Sequence, residues 1–352
     1  MARIIYSICG EGLGHAFRSA EIISELRKKH DVLIIAASSR IADYLKKRFN
    51  KIETFEGLRL SYKDNSIDDY TTLRNYMKWL LESPKTIRKL FKIFRKYKPD
   101  LLITDFEGAT AAIANISNIP VVCICNIHAM TKLRYKLPKK YRLTGAKIKI
   151  VVNTIFPKAD YHLIISFFKE KPKNHNISLY APVIRKEFHG VKTKKANYIV
   201  VYQTSDTHSR LIHYLKKINY NFIVYGFNKE SKENNIIFRK FSYDQMIKDL
   251  AECNACIANG GFTFITEAIY LHKPVLCVPI KGQFEQILNS IYVKKLGYGE
   301  MYDHIDKKKI ENFISNLKKY EKKLQHVKKE NNSKLMHKVE EIIKNVSNKG
   351  RT

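Results

Sequence analysis

The chain has 352 residues, 45% of them hydrophobic, and a formal net charge of +31. That length calls for two domains of ordinary size, and the apolar content suffices for real cores. No apolar run approaches the ~20 residues of a membrane span, and the chain opens on a strand-like run, so neither a spanning helix nor a secretory leader is expected. The charge suits an anionic partner, but it is spread over both halves of a chain also rich in Ile and Asn. Composition bias explains it as well as a ligand does.

Arg3 to Cys9 reads as a strand, followed by the turn Gly10-Glu-Gly12-Leu-Gly14-His15 and a helix over 16–29. Asp31 to Ala37 is a second strand. Helices over 40–48 and 72–97, a strand from Leu101 to Thr104, a helix over 108–117 and a strand from Pro120 to Cys125 follow. Residues 169–195 read as a linker with one extended piece, Leu179 to Val183. The alternation then restarts: strand Tyr198 to Tyr202, helix 207–217, strands Asn221 to Tyr225 and Asn235 to Phe238, helix 243–251, strand Ala255 to Ala258. Alternation of this kind predicts parallel sheets with helices on both faces. The expected class is α/β, with two doubly wound Rossmann-like domains, 1–168 and 196–305, facing across a cleft. A charged helical segment, 306–352, is free to return to the first domain.

In such sheets ligands bind beyond the carboxyl ends of the strands, where every motif of this chain falls. Gly10, Gly12 and Gly14 allow close approach of a substrate, and Arg18 follows on the helix. The loop is not the dinucleotide fingerprint: His15 stands where a third glycine is wanted, and the second strand ends in Ala37-Ser38-Ser39 without an acid. His15 suits removal of a proton from an attacking hydroxyl; the alternative is a packing or capping histidine. In Thr104-Asp105-Phe106-Glu107, alternate residues of an extended turn share a face, so Asp105 and Glu107 could pair on a divalent metal. Gly-rich loops and helix dipoles neutralise a diphosphate without one, so no metal is expected. Glu107 is expected to hold or activate an acceptor, the alternative being an acid placed to favour a helix N-terminus.

The second half carries Asn259-Gly260-Gly261-Phe-Thr263 and then Glu267. Gly260 and Gly261 let a backbone approach a ligand, and the helix beginning there offers free N–H groups. Glu267 could accept from a ribose diol; Gln283, Glu285 and Gln286 could hold a sugar ring. Gln203, Thr204 and Ser205 end a strand and could donate to phosphate, or simply cap the next helix. Phe241 and Ser242 lie where a base would be read. A diphosphate with a sugar at each end uses all of these features, which describes a nucleotide sugar.

Six cysteines (9, 123, 125, 253, 256, 277) lie mostly in apolar strand-like segments and read as buried thiols. Cys253-x-x-Cys256 lacks a second pair at zinc spacing. Two basic clusters stand out: Arg88 to Lys98, with Phe91, Phe94 and Tyr97 interleaved, and the acid-free stretch 131–149.

Taken together these motifs resemble the GT-B fold glycosyltransferases. The second half is similar to the nucleotide-sugar-binding half of the UDP-glycosyltransferases and of the peptidoglycan N-acetylglucosaminyltransferases. The pairing of Gly12-Leu-Gly14-His15-x-x-Arg18 with Thr104-Asp105-Phe106-Glu107 resembles an archaeal and bacterial subgroup of that superfamily. The resemblance implies an inverting, metal-independent transfer from a UDP-sugar to an acceptor hydroxyl, the UDP-sugar being a co-substrate and no cofactor being required. It implies His15 as base, Gly260 and Gly261 with Thr204 and Ser205 on the diphosphate, Glu267 on the ribose, and Glu285 and Gln286 on the donor sugar. Glu285 stands where many relatives carry Asp or Gln, so the sugar does not carry over. The basic clusters point to a lipid-linked or cell-envelope acceptor at a membrane surface, and hence to a cytoplasmic protein bound peripherally. A non-hydrolysing UDP-sugar 2-epimerase shares the fold, but its usual motifs are not found. A nucleic-acid-binding protein is suggested by charge alone and leaves the Gly and Glu motifs unexplained.

Overall fold

The computed structural model describes residues 1–57, 62–63, 66–67, 69–203 and 209–349. The chain divides into two compact units. The first is Met1–Ser61, Asp68–Arg185 and Glu330–Thr352, and the second is Tyr62–Ile67 and Lys186–Lys329.

Seven parallel strands form the sheet of the first unit: β1 (Arg3–Ile8), β2 (Asp31–Ala36), β3 (Ile52–Thr54), β4 (Leu101–Asp105), β5 (Val121–Cys125), β6 (Tyr161–Ile165) and β7 (Ile177–Tyr180), in the order β7-β6-β5-β4-β1-β2-β3. Their Val, Ile and Leu runs are buried on both faces, as a helix-covered parallel sheet requires. Ile4, Ile5, Tyr6, Ile8, Leu102 and Ile103 are all fully buried. Each such aliphatic side chain contributes about 1.5–3 kcal/mol on burial. Helix α1 (Leu13–Leu26) follows β1, α2 (Ser39–Lys46) follows β2, α3 (Asp69–Tyr97) precedes β4, and α4 (Gly108–Ile116) follows it. Helix α5 (Arg142–Ile155) precedes β6.

The strand order reverses at β1, whose neighbours are β2 on one side and β4 on the other, with Ile8 in register with Asp105. A crevice at such a reversal is where open α/β sheets bind ligands. The loops after β1 and β4 therefore share the favoured position.

The second unit repeats the plan with β8 (Tyr198–Tyr202), β9 (Asn221–Tyr225), β10 (Ser231–Glu233), β11 (Ile236–Arg239), β12 (Ala255–Ala258), β13 (Val275–Cys277) and β14 (Gly299–Met301). The order is β10-β11-β9-β8-β12-β13-β14, parallel except for the antiparallel edge strand β10. Here the reversal lies between β8 and β12, with Tyr202 opposite Ala258. Helix α6 (Ser209–Leu215) precedes β9 and α7 (Tyr243–Glu252) precedes β12; Gln203 and Asn259 are the residues next along after β8 and β12.

One expectation needs correction. The extended piece assigned to a linker is the edge strand β7, paired with β6 from Ile177 opposite His162. Its single short apolar stretch among Lys and Asn gave too weak a signal. The described residues of the charged segment after 306 form the helices Lys307–Ser315, Leu317–Leu324 and Ser333–Lys349. The last belongs to the first unit, where Glu340 meets His30 at 3.2 Å.

Candidate active site

In the first unit β1 leads into Gly12, whose φ of +71° turns the chain into α1. A left-handed residue at that point is the office of glycine. His15 and Arg18, three apart on α1, lie on the same helix face. Both are buried, at 7% and 4% exposure. They converge on Asp105, the fully buried last residue of β4.

The contacts are close. Asp105 Oδ1 lies 2.9 Å from His15 Nδ1. Arg18 donates through Nε to Asp105 Oδ2 at 2.7 Å and through NH2 to Oδ1 at 2.8 Å. Ser19 Oγ donates to Oδ2 at 3.3 Å, and the Cys9 N–H to the Asp105 carbonyl at 3.2 Å. Arg18 holds the carboxylate in a two-pronged grip, and the carboxylate holds the imidazole. Arg18 NH2 also lies 2.6 Å from His15 Nδ1, so that nitrogen faces a carboxylate and a guanidinium together. In the tautomer with Nδ1–H directed at Asp105, the lone pair of the neutral ring falls on Nε2.

Burial and the Arg18 guanidinium favour the neutral imidazole, while Asp105 and Cys9 favour the cation. The balance lies above the ordinary value of 6.5, at about 10. Burial raises the Asp105 pKa, but Arg18 and His15 outweigh it and bring the carboxyl from 3.8 to about 2.

Glu107, two residues from Asp105, goes elsewhere. It is the N-cap of α4, accepting from Ala109 N at 3.0 Å and Thr110 N at 2.7 Å, and from the Thr110 hydroxyl. Phe106 between them has φ +56°. That left-handed step, uncommon for a bulky residue, breaks the extended alternation that would put both acids on one face. Asp105 turns to α1 and Glu107 to α4, so they do not form the carboxylate pair that the spacing allowed. Two aromatic residues of the basic cluster are engaged within the first unit. Phe94 is buried in the core, and the Tyr97 hydroxyl donates to the Asp31 carbonyl at 2.9 Å. Leu90 and Phe94, four apart, face inward; Arg88, Lys89, Lys92, Arg95 and Lys96 are exposed.

In the second unit the loop after β12 is built around Gly260, with φ +99°. A Cβ there would lie 2.7 Å from Ser290 Oγ and 2.8 Å from the Gln286 carbonyl, so only glycine fits. Asn289 Nδ2 donates to the Gly260 carbonyl at 3.1 Å, and Asn259 Nδ2 to the Val278 carbonyl at 3.3 Å. These bonds fix the approach to helix α8 (Phe262–Tyr270), whose N-cap is Gly261. Nothing lies within 4 Å of where a Gly261 Cβ would be. The α8 N-terminus thus has an open, glycine-lined approach, with Thr263 half-buried in its first turn. Glu267 is buried farther along α8.

The amide nitrogen of Gln203, at the end of β8, is buried with no hydrogen-bond partner among the described residues. Thr204 and Ser205 lie outside the described residues. Gln286, expected on a sugar, is buried and its Oε1 accepts from Ile280 N at 3.0 Å. Gln283 and Glu285 are half-buried at the start of the helix Phe284–Leu296. Phe241 is 44% exposed and belongs to a ring cluster: 4.8 Å from Tyr243 and 6.3 Å from Tyr202, which itself stacks on Phe264 at 5.0 Å. Ser242 is the exposed N-cap of the helix Tyr243–Glu252.

Sequence reasoning weighed Asp105 only beside Glu107, not as the partner of His15, and gave no role to Tyr202 or Phe264. For Asp105 the usable signal was an acid closing an otherwise apolar central strand.

The family model described as glycosyl transferase family 1 covers residues 2–318. The chain belongs to this family. An uncharacterized glycosyltransferase of Methanosarcina acetivorans is 23% identical over 335 residues, covering 86% of each chain. One from Methanosarcina mazei is 25% identical over 332 residues, again 86% of each. Among solved structures, a UDP-glucosyltransferase from Polygonum tinctorium superposes with a TM-score of 0.69 at 14% identity, covering 98% of both chains. The glycosyltransferase of kitacinnamycin gives 0.68 at 14% identity, over 92% of this chain and 93% of that one. The protein is a glycosyltransferase of the GT-B fold. Among the described residues of this glycosyltransferase no helix is long and apolar enough to cross a membrane.

Proposed function

We propose that this glycosyltransferase is an inverting enzyme that moves a sugar from a UDP-sugar to an acceptor hydroxyl. The observation that carries the proposal is the His15–Asp105 pair at the sheet reversal of the first unit. His15 Nε2 takes the proton of the acceptor hydroxyl. The acceptor oxygen attacks the anomeric carbon, the bond from that carbon to the diphosphate oxygen breaks, and UDP leaves with the electron pair. One displacement inverts the configuration and needs no covalent enzyme intermediate. Asp105 acts here as the positioning residue for His15, fixing its tautomer and steadying the cation that forms. Glu107, occupied in capping α4, takes no part in this scheme.

The donor is assigned to the second unit. The Gly260–Gly261 turn and the α8 N-terminus suit the diphosphate, since N–H groups and the helix dipole favour an anion there. Glu267 is assigned to the ribose and the Phe241 cluster to a stacked base. The Polygonum tinctorium neighbour is a UDP-glucosyltransferase, and another neighbour, LpCGTa, was solved in complex with UDP. Catalysis is proposed to need no metal, because Asp105 is held by Arg18 and Glu107 by α4.

A lipid-linked acceptor at an anionic membrane surface is part of the same proposal. Helix α5 supports it better than the Arg88 to Lys98 segment. Gly145 and Val152 face the core, while Leu143 and Ile150 are 69% and 68% exposed on the opposite side, with Val151 and Ile155 alongside. Arg142 and Lys147 are exposed on the same helix, and Lys139 and Lys140 just before it. An amphipathic helix with basic flanks lies in the headgroup layer.

The deciding experiment is UDP release from a panel of UDP-sugars with and without lipid-linked and soluble glycan acceptors. Release that requires an acceptor, with an inverted anomeric product, is expected. Epimer formation without acceptor, or retention of configuration, overturns the proposal.

A further inference from the structure

The first unit holds a second buried cluster that the transfer reaction does not use. Cys123 and Cys125 sit two apart on β5 and so point to one face of the sheet. The register sets His162 of β6 beside Cys123. His128, in the turn after β5, reaches the same place. Donor atoms of Cys123, His128 and His162 all lie within 4.8 Å of one another. His128 Nδ1 is 3.0 Å from His162 Nδ1, and Cys125 Sγ is 3.6 Å from Cys123 Sγ. All four residues are at most 4% exposed.

We propose that Cys123, His128 and His162 bind a zinc-class ion, with the Cys125 sulfur as fourth ligand. Zinc in structural sites takes four Cys or His ligands in a tetrahedron, with bonds of about 2.3 Å to sulfur and 2.0–2.1 Å to nitrogen. Those bond lengths require S···S edges of about 3.8 Å and N···N edges of about 3.3 Å. The observed 3.6 and 3.0 Å are within small side-chain adjustments of both. A hydrogen bond between the two imidazoles accounts for their own contact. It does not account for the Cys123 sulfur at the same point, nor for Cys125 Sγ 3.6 Å from that sulfur. Cys253 and Cys256 of the second unit show the contrast: their sulfurs are 3.8 Å apart, with no histidine in a matching group among the described residues.

The site would be structural. The His128 ring packs against Phe106 at 5.4 Å and Phe156 at 4.8 Å. Phe106 is the left-handed residue that parts Asp105 from Glu107, so a bound ion would brace the turn beneath the His15–Asp105 pair. Binding displaces the thiol protons, and with all four ligands shut from solvent the ion enters during folding.

The test is the metal content of the full-length protein made in cells supplied with zinc. One zinc ion per chain is expected, retained through gel filtration. Cys123→Ala/His162→Ala should lose it, and Cys253→Ala should keep it. Should the double variant not fold, Cys125→Ser carries the test, with a fall in zinc affinity of about tenfold or more expected. Refolding from guanidinium with Co²⁺ should give the visible bands of tetrahedral cobalt–thiolate coordination. Wild-type protein that holds no zinc by expression and no cobalt by refolding overturns the proposal. So does full zinc retention by the double variant or unchanged affinity in Cys125→Ser.

Discussion

Asp105 Oδ1 stands 2.9 Å from His15 Nδ1, although 90 residues separate them in the chain. Two adjacent strands, β1 and β4, end level with one another and deliver the pair to one point. His15→Ala is expected to reduce transfer by about 100- to 10,000-fold, as removal of a general base does, with UDP affinity nearly unchanged. Steady-state rates alongside calorimetric UDP binding check this. Near wild-type turnover in a folded variant rules the role out.

The same pair sets a pH dependence. A base works only when neutral, and His15 is held above its usual value of 6.5. The acidic limb of kcat/KM should therefore lie above pH 6.5, with activity rising into the alkaline range. Asp105→Asn removes the charge that favours the imidazolium, so it should move the limb downward while lowering the maximum rate. A limb that stays put in Asp105→Asn shows that another group titrates.

Stability follows with the signs worked separately. His15 has a raised folded pKa, so its contribution is complete below pH 6.5 and is lost as pH rises through about 10. Asp105 has a depressed one, so its contribution is present above pH 3.8 and is lost as pH falls through about 2. Urea unfolding across pH should show wild-type stability declining above pH 6.5, with the decline flattened in His15→Ala. Asp105→Ala leaves Arg18 charged and buried without its partner, and should cost about 3–5 kcal/mol near neutral pH.

Glu267→Ala should weaken UDP binding by about 1–3 kcal/mol if the carboxylate accepts from a ribose diol. Equal affinity of variant and wild type in calorimetry removes Glu267 from the donor site.

Transfer should continue in excess EDTA. Complete loss, restored by Mg²⁺ or Mn²⁺ but not Zn²⁺, would reveal an ion under the diphosphate. The buried cysteine–histidine cluster is shielded from a chelator added to the folded protein, so the two metal questions remain separable.

Anionic liposomes should sediment the protein at low salt and release it at high salt, since each Lys or Arg near such a surface contributes about 1 kcal/mol. Leu143→Ser with Ile150→Ser should weaken that binding more than neutralising Arg88, Lys89 and Lys92. The reverse ranking would return the role to α3.

The sequence by itself determined the strand–helix alternation, because an apolar run buried on both faces can be little else than a central parallel strand. It also located the turns at His15 and at Gly260 to Glu267, because positive-φ turns and helix starts restrict which residues can stand there. What it left open was which side chains share a point in space. Strand order is set by packing of whole layers, not by local spacing, so nothing near Asp105 in sequence announces His15 or Arg18. Local spacing allowed Asp105 and Glu107 to share a face, but the left-handed Phe106 turns one toward α1 and the other toward α4. Cys123, Cys125, His128 and His162 tell the same story, for only the β5–β6 register sets a histidine beside the two sulfurs. Period and turn chemistry are written along the chain, whereas juxtaposition across the sheet belongs to the tertiary structure.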